Sequence, residues 1–502
     1  MLRVVDNEPR MIALPDPEAR PGQDSRSSLE AYGWRGRLRI VRIGWAALRL
    51  RTAMWLNARG WTGDSPEGRR RAEGARLRNE LIALGPTFIK IGQMLSTRVD
   101  LLPFEYTEEL KELLDRVPPF PTEQAFSIIE AELGRPLKEA YASIDSAPIA
   151  AASLGQVYRA RLRTGEEVVV KVQRPGLETR IDLDMATLRH MAPRLQVSDV
   201  LKATDWNGII DEFASVLADE IDYVREVENA ETFRENFVKW DSIHVPTVYP
   251  ELSSRRVITM EYIPGVKVDD HSGLRRMGLA PTDVTERLVQ AYLKQLLEDG
   301  FFHADPHPGN LRVMPDGRLA FFDFGMAGRL SLELQSQLVD AFFHIVEKDW
   351  RGLLGAAAEL GFLRIDPADR EGLDEIGARL IEQYEGLRLG DLTFQDMSEE
   401  VADLLYRYPF QIPPHFTFIL RALTTIEGIG SKADPDFNFF LVARPHAKEF
   451  MLRREGRYIG GKILARVLKG DEGSINWSKT WKLAKMAWKH YTAPRPAGKS
   501  ER

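Results

Sequence analysis

Cysteine is absent from this chain of 502 residues. The protein therefore has no disulfide bond, no thiolate metal site and no thiol nucleophile, and a zinc site would have to use histidines and carboxylates. The sequence also lacks an apolar run of about 18 residues, the length that a membrane-spanning helix requires. Its formal net charge of −6 gives no general signal for nucleic-acid binding. An ordinary globular composition remains, with enough length for more than one domain.

The first 30 residues are rich in Pro, Ser, Arg and Asp and show little periodicity. Asp6, Glu8, Asp16 and Glu18 interrupt any apolar core, which argues against a secretory signal peptide and against a mitochondrial transit peptide. We therefore expect a cytoplasmic protein whose residues 1–34 form a disordered tail.

Two segments combine basic and aromatic residues. Residues 35–72 contain many arginines but only two acids, Asp64 and Glu67, with apolar side chains between them. Near the other end, Trp477, Trp481 and Trp488 fall within about 40° of one another on a helical wheel, with lysines around them. Basic amphipathic helices of this kind lie on anionic membrane surfaces, and we predict peripheral membrane association. The alternative is that both faces pack on their own domain.

Residues 303–310 read His-Ala-Asp-Pro-His-Pro-Gly-Asn, and Asp-Phe-Gly follows at 323–325. Asn310 comes five residues after Asp305, and Asp323 comes thirteen residues after Asn310. This order is typical of a protein-kinase catalytic loop. Mg²⁺ prefers hard oxygen ligands such as Asp and Asn side chains. We therefore predict Asp305 as the base or acceptor-positioning carboxylate, and Asn310 and Asp323 as Mg²⁺ ligands.

A β-hairpin is predicted upstream, from two strand-like runs at 155–162 and 167–172 that are joined by Thr164-Gly165. Lys171 lies near the end of its apolar second strand. Small residues precede the hairpin and could let backbone N–H groups approach phosphates, as a Gly-rich loop does; these residues are Ala150, Ala151, Ala152 and Ser153.

Glu220 is expected in the middle of an apolar face of one helix that starts near residue 211. Since a carboxylate in such a face is costly unless it is paired, we predict Lys171 as its partner, in the lysine–glutamate pair that holds the α- and β-phosphates of ATP. A further strand at 256–263 ends at Pro-Gly. It fits a linker between two lobes, in which backbone groups of Glu261 and Tyr262 read the adenine.

Lys-Ile-Gly-Gln at 90–93 and Glu-Ile-Asp at 220–222 complete a set of motifs. With the Ala-rich loop and the catalytic loop, they resemble the UbiB/AarF/ADCK family of atypical protein-kinase-like proteins. The resemblance implies an α+β, two-lobed kinase-like fold with Lys90 and Gln93 at the site. It implies a helical extension at 35–125, an N-lobe at 126–265, a C-lobe at 266–445 and a basic amphipathic region at 446–502.

The same resemblance implies an atypical kinase or ATPase that binds ATP and Mg²⁺ and supports ubiquinone biosynthesis at a membrane. Lipid precursors or biosynthetic enzymes would be its partners, with no nucleic acid. Three alternatives stay open. They are a small-molecule phosphotransferase of the aminoglycoside or choline kinase type, a non-catalytic nucleotide-binding scaffold, and a metal hydrolase built on His303, Asp305 and His307.

Overall fold

A computed structural model describes residues 32–58, 65–96, 98, 101–113, 119–195, 206–347, 349–362 and 414–445. The chain divides into one compact unit through Ala443 and a second from Arg444 to Arg502. The predicted disordered tail lies outside the described residues up to residue 31, and a helix already begins at Gly33, inside its predicted bounds. The predicted Trp and Lys stripe near the C-terminus lies outside the described residues. Among the described helices, none combines the length and apolar character needed to cross a bilayer.

Helices come first in the described chain. They are α1 (Gly33–Ala58), α2 (Pro66–Leu84), α3 (Pro86–Leu95), α4 (Phe104–Lys111), α5 (Thr122–Leu133) and the single turn α6 (Leu137–Ala140). Helix α3 carries the Lys-Ile-Gly-Gln motif and packs against α2 and α4. The motif glycine lies at this contact, because a Cβ at Gly92 would come within 2.3 Å of Leu113 Cδ1 and 2.8 Å of Leu81 Cδ1. The glycine allows α3 to approach its neighbours closely.

The sheet lobe is an antiparallel sheet in the order β1-β3-β4-β6, with β2 paired to β3. Its strands are β1 (Tyr141–Ile144), β2 (Ala150–Ala151), β3 (Gly155–Leu162), β4 (Glu167–Gln173) and β6 (Val257–Glu261). Val168, Val170 and Val172 of β4 are fully buried in the lobe's core. Because neighbouring side chains on a strand point to opposite faces, Lys171 points away from this core. The predicted hairpin is confirmed, and β6 is shorter than the predicted strand.

Between the sheet strands β4 and β6, the described residues form three α-helices. They are α7 (Leu177–Leu195), α8 (Trp206–Glu220) and α9 (Tyr223–Phe237). Helix α8 ends at Glu220, and Asp222 is the N-cap of α9, accepting a hydrogen bond from the Val224 N–H at 3.2 Å. The prediction of one continuous helix is therefore wrong. The Asp222 side chain accepts a hydrogen bond from a backbone N–H in the first turn of α9, so a new helix begins at this point.

The rest of the described chain is mainly helical, with short strands that carry the catalytic loop. Its helices are α10 (His271–Arg276), α11 (Pro281–Leu293), a π-helical turn (Lys294–Asp299), α12 (Leu332–Glu347), α13 (Trp350–Glu359) and α14 (Pro414–Ala433). Its strands, with β5 from the segment before β6, are β5 (Ile243–His244), β7 (Val266–Lys267), β8 (Phe301–His303), β9 (Leu311–Val313), β10 (Leu319–Phe321) and β11 (Ala327–Arg329). They form a sheet β5-β10-β9-β7 and an antiparallel pair β8-β11. The predicted α+β kinase-like fold is confirmed.

Candidate active site

Lys171 is the centre of an ion-pair cluster. Its Nζ donates to both carboxylate oxygens of Glu226, at 3.0 and 2.9 Å, and lies 3.3 Å from Asp323 Oδ2. Glu226 belongs to the first turn of α9 and is almost fully buried, whereas the Asp323 side chain is 44% exposed. A lysine of the sheet lobe therefore meets an acid from the helix beside it and an acid from the Asp-Phe-Gly motif.

The predicted Lys171–Glu220 pair is wrong, because Glu226 is the partner of Lys171. The error follows from the break between α8 and α9, which separates Glu220 from the face that packs beneath the sheet. Val224, which lies four residues after Glu220 and would share its face in a continuous helix, is 40% exposed. Starting the helix at Asp222 instead places Glu226 on the buried side with Tyr223, Ala230 and Phe233.

Glu220 forms a second ion pair with Lys90 of α3. Lys90 Nζ donates to Glu220 Oε1 at 2.8 Å, and the two side chains are 15% and 8% exposed. Gln93, one turn further along α3, donates through Nε2 to the Leu113 carbonyl at 2.8 Å. The helical extension thus delivers Lys90 to the cluster, while Gln93 ties the extension to the chain that leads into the sheet lobe.

The charges of the cluster act strongly on one another. Burial would lower the pKa of Lys171, but Asp323 and Glu226 hold it well above its ordinary value. Burial would raise the pKa of Asp323, but Lys171, Lys90 and His303 hold it below its ordinary value. Asp323 is therefore ionised at neutral pH, the state in which a carboxylate binds a metal. Burial raises the pKa of Glu226 to about 7 despite Lys171 beside it.

The hairpin β9–β10 brings the two predicted metal ligands together. Asn310 directly precedes β9 and Asp323 follows shortly after β10, and the Phe322 N–H donates to the Asn310 carbonyl at 3.1 Å. Asn310 Nδ2 donates to the Asp305 carbonyl at 3.1 Å. This bond orients the amide group of Asn310. It uses Nδ2 to hold the loop and leaves Oδ1 as the atom that can ligate a cation.

Asp323 is the only non-glycine residue with a positive φ, 62°, in the described part of the chain. This left-handed conformation is costly for most side chains and is tolerated best by Asn and Asp. The neighbouring residue fixes it: Phe324 is fully buried and its carbonyl accepts a 2.9 Å hydrogen bond from Asn229 Nδ2. The carboxylate is thereby held toward Lys171.

His303 supports the catalytic loop from within the core. Its Nδ1 accepts the Asp305 N–H at 3.2 Å, and it is fully buried beside Phe233 and Phe324. Burial lowers its pKa, although Asp305 and Asp323 oppose the shift. His307 Nδ1 accepts the Gly309 N–H at 3.1 Å within the same loop. Both histidines therefore use Nδ1 to hold the backbone of the catalytic loop.

Asp305 has a partner that the sequence did not indicate. Arg421, from α14, lies 3.0 Å through its NH2 group from Asp305 Oδ1. The two residues are 116 positions apart in the chain. No local pattern links an arginine in a helix to a distant loop aspartate, so this contact required the fold.

The Ala-rich loop lies at the edge of the sheet. Ala150 and Ala151 pair with the start of β3, Ala152 N–H donates to the Gly155 carbonyl at 2.8 Å, and Ser153 is fully buried. A Cβ at Gly155 would lie 2.5 Å from the Val172 carbonyl oxygen and 2.8 Å from the Tyr223 hydroxyl. The loop is therefore packed closely onto the end of β4, the strand that carries Lys171 and ends at Gln173.

The Tyr223 hydroxyl is buried and has no hydrogen-bond partner among the described residues. Lys171 Nζ lies 5.0 Å from the centroid of the Tyr223 ring. A buried donor without a partner is costly unless a ligand or water satisfies it. These residues fit a phosphorylated ligand with Mg²⁺. Lys171 and the Tyr223 hydroxyl lie near the loop, and Asp323 and Asn310 supply a carboxylate and an amide oxygen.

The predicted adenine-binding groups are already partly used. The Glu261 N–H donates to the Thr247 carbonyl at 2.8 Å, and the Tyr262 N–H donates to the Glu167 carbonyl at 3.0 Å. The Glu261 carboxylate accepts from the Thr247 N–H and lies 3.1 Å from His244 Nε2. These two N–H groups therefore hold the strand, and an adenine contact at Glu261 or Tyr262 would use their carbonyl groups.

Comparisons with known proteins agree with this geometry. An ABC1 atypical kinase-like domain matches residues 112–357, and a UbiB helical domain matches residues 378–438. The uncharacterized protein sll1770 of Synechocystis is 42% identical over 455 residues, covering 88% of this chain and 78% of the relative. The chain belongs to the UbiB/ABC1 family of atypical kinase-like proteins. Arg421 lies in the part of α14 that matches the family's helical domain.

Two chloroplast proteins of Arabidopsis thaliana are also similar to this UbiB/ABC1 protein. ACTIVITY OF BC1 COMPLEX KINASE 7 is 39% identical, with 84% of this chain and 61% of the relative covered. ACTIVITY OF BC1 COMPLEX KINASE 8 is 40% identical, with 79% of this chain and 56% of the relative covered. The chain therefore spans somewhat more than half of these plant proteins, and it shares with them a kinase-like class.

Proposed function

We propose that this protein binds ATP with Mg²⁺ and transfers or hydrolyses its terminal phosphoryl group. One observation carries the proposal: Lys171 Nζ lies within 3.3 Å of both Glu226 and Asp323, so the cation of the sheet lobe and the carboxylate of the Asp-Phe-Gly motif lie next to each other. In phosphoryl transfer the protein mainly positions groups and stabilises charge, and this arrangement supplies both. Membership of the UbiB/ABC1 family supports the same chemistry.

Each residue of the cluster then has a defined task. Lys171, held by Glu226, would contact the α- and β-phosphates, and Asn310 and Asp323 would hold Mg²⁺, which neutralises phosphate charge when bound. Asp305 would orient the acceptor hydroxyl or water and accept its proton. Lys90, held by Glu220, would place a second positive charge beside the phosphates. The Ala-rich loop and the hydroxyl of Tyr223 would line the phosphate side.

The acceptor is proposed to be a membrane-associated precursor or enzyme of isoprenoid quinone biosynthesis, such as that of ubiquinone. Family membership supports this proposal, and so does a surface on α1. Five large apolar side chains follow one another at helical spacing on its exposed side, with Trp34 70% and Val41 66% exposed. We call them the α1 apolar stripe: Trp34, Leu38, Val41, Trp45 and Leu48.

The opposite face of α1 is the one that packs on the protein. Ile43 and Ala46 are buried there, and the buried Arg39 forms an ion pair with the fully buried Asp184 of α7. The helix is thus fixed by its inner face and presents apolar side chains outward. Contiguous exposed apolar surface of this kind marks an interaction site.

The charge of α1 favours a lipid surface as the partner. The helix contains no acidic residue, and the exposed Arg35, Arg37 and Arg51 lie on the same outward half as the stripe or beside it. Arg42 and Arg49, also exposed, turn to α2, where they contact the Ala83 carbonyl and the Glu80 carboxylate. Two copies that met through this stripe would bring like charges together, whereas an anionic bilayer would accept the aromatic side chains and attract the arginines. Peripheral membrane association is therefore part of the proposal.

ATP hydrolysis by the purified full chain tests the proposal. Turnover should require Mg²⁺, should disappear with EDTA, and should rise with anionic liposomes or with phenolic quinone-precursor mimics. Stimulation by the mimics favours a lipid-type acceptor, and phosphorylation of peptides favours an ordinary protein kinase. If ATP binds but is never consumed under any of these conditions, the protein is a nucleotide-binding scaffold.

A further inference from the structure

Arg421 lies in α14, outside the residues that match the kinase-like domain and inside those that match the helical domain. Its guanidinium nevertheless reaches the catalytic loop, 3.0 Å from Asp305 Oδ1. Among the described residues it is the only cation recorded in a salt bridge with Asp305. The helical domain thus contributes a charged side chain to the predicted active site.

Helix α14 is a firm support for this side chain. Ala422 and Ile426 are fully buried and Ile429 is 2% exposed, and the helix packs against α11. The Asp305 and Arg421 side chains are 23% and 20% exposed, so the pair is shielded from water without being sealed. A charge-assisted hydrogen bond in such surroundings is stronger and better oriented than one on the open surface.

The contact uses one oxygen of the carboxylate. Arg421 donates to Oδ1 of Asp305, while the Asp305 backbone is held by His303 Nδ1 and by Asn310 Nδ2. Backbone contacts fix where the residue lies but leave the side chain free to rotate, and Arg421 removes this remaining freedom. The second oxygen, Oδ2, is then presented in a fixed direction.

We infer that Arg421 is a positioning residue that orients Asp305 for phosphoryl transfer, so that the UbiB helical domain completes the active site. This inference rests on the proposed function. It predicts that removal of the guanidinium slows the chemical step while ATP binding is retained, because Arg421 contacts Asp305 and is separate from the Lys171 cluster.

Arg421→Ala and Arg421→Lys in the full chain test this role through steady-state ATP hydrolysis. Arg421→Ala should lower kcat about ten- to a hundredfold, the size expected when a catalytic group is misplaced, and should leave KM for ATP within about twofold. Arg421→Lys should recover part of the loss. Lys432→Ala is the matched control, because it removes an exposed cation from the last turn of the same helix. Wild-type kcat in Arg421→Ala would overturn the inference.

Hydrogen exchange without nucleotide provides a second readout that does not depend on turnover. Amides of residues 303–310 should exchange faster in Arg421→Ala than in the wild type or in Lys432→Ala, while those of the sheet lobe should not change. Unchanged exchange at 303–310 would contradict the positioning role even if the enzyme assay failed. An inactive wild type with the expected exchange pattern would reject the proposed function and retain the contact between the helical domain and the loop.

Discussion

Lys90 and Lys171 come from different parts of the chain, and each is held by its own glutamate. Lys90 donates to Glu220 at 2.8 Å, and Lys171 donates to Glu226 at 2.9 Å. Both lysines also lower the pKa of Asp323. Two paired ammonium groups beside one ionised carboxylate are the arrangement that the proposed phosphate and Mg²⁺ site requires.

The metal role of Asp323 is tested by Asp323→Asn. The amide keeps the size of the side chain but is a much weaker ligand for Mg²⁺, so ATP hydrolysis should fall roughly a hundredfold or more. The free energy of unfolding should change by less than about 1 kcal/mol, as measured by chemical denaturation. Asp316→Asn, at an exposed turn, is the control. Wild-type turnover in Asp323→Asn would reject the metal assignment.

The Lys171–Glu226 pair predicts a pH-dependent stability in Lys171→Met. The folded-state pKa of Glu226 is already raised by burial to about 7, and loss of the cation raises it further. A raised pKa contributes stability that is present below the unfolded value and is lost as pH rises through the folded value. The free energy of unfolding of Lys171→Met should therefore fall between about pH 6 and pH 8, by at most about 1.4 kcal/mol per pH unit.

The control for this prediction is Lys171→Met combined with Glu226→Gln, which has no carboxylate to ionise at that position. Its stability curve should be flatter than that of Lys171→Met over the same range. If the unfolding free energy of Lys171→Met does not change with pH, another cation or water stabilises the Glu226 carboxylate and the prediction is wrong.

The Lys90–Glu220 pair should contribute measurably to stability, because both side chains are mostly buried. Lys90→Met and Glu220→Gln each remove one charge of this mostly buried pair, and each should lower the free energy of unfolding by about 1–3 kcal/mol. In the double variant the loss should be smaller than the sum, since the interaction between the two side chains is lost only once. Thermal or chemical denaturation of the four proteins measures the coupling, and strict additivity would contradict it.

The α1 apolar stripe should control membrane binding. Val41→Ser combined with Trp45→Ser should reduce co-sedimentation with anionic liposomes about tenfold or more at low salt, because both side chains are largely exposed and their apolar area enters the bilayer interface. Val238→Ser is the matched control, as Val238 is 74% exposed at the end of α9, away from α1 in the chain. Equal losses in both variants, or binding that ignores salt, would contradict the assignment.

The local elements of the sheet lobe could be read from residue patterns because they depend on neighbours in sequence. The apolar run before Lys171 and the turn at Gly165 define the hairpin β3–β4 without any long-range information. The proximity of Asn310 and Asp323 could likewise be predicted, since one short hairpin, β9–β10, lies between them.

What the sequence missed was decided by a helix break and by long-range contacts. The apolar stripe of α8 and α9 looks continuous, so only the capping ability of Asp222 could have indicated the break and pointed to Glu226. Arg421 and Tyr223 gave no such signal. An arginine in an amphipathic helix and a tyrosine in a helix's first turn are ordinary, and their importance comes from which loop the fold brings beside them.

The turn between Glu220 and Glu226 gives the site a mechanical property. Glu220 forms an ion pair with Lys90 of the helical extension, and Glu226 forms an ion pair with Lys171 of the sheet. Because only a short piece of backbone joins Glu220 to Glu226, a displacement of α3 would be transmitted to Lys171, the lysine that contacts the Asp-Phe-Gly carboxylate. If α1 binds a bilayer as proposed, the Lys90–Glu220 and Lys171–Glu226 pairs form a short connection from the helical extension to the proposed phosphate site.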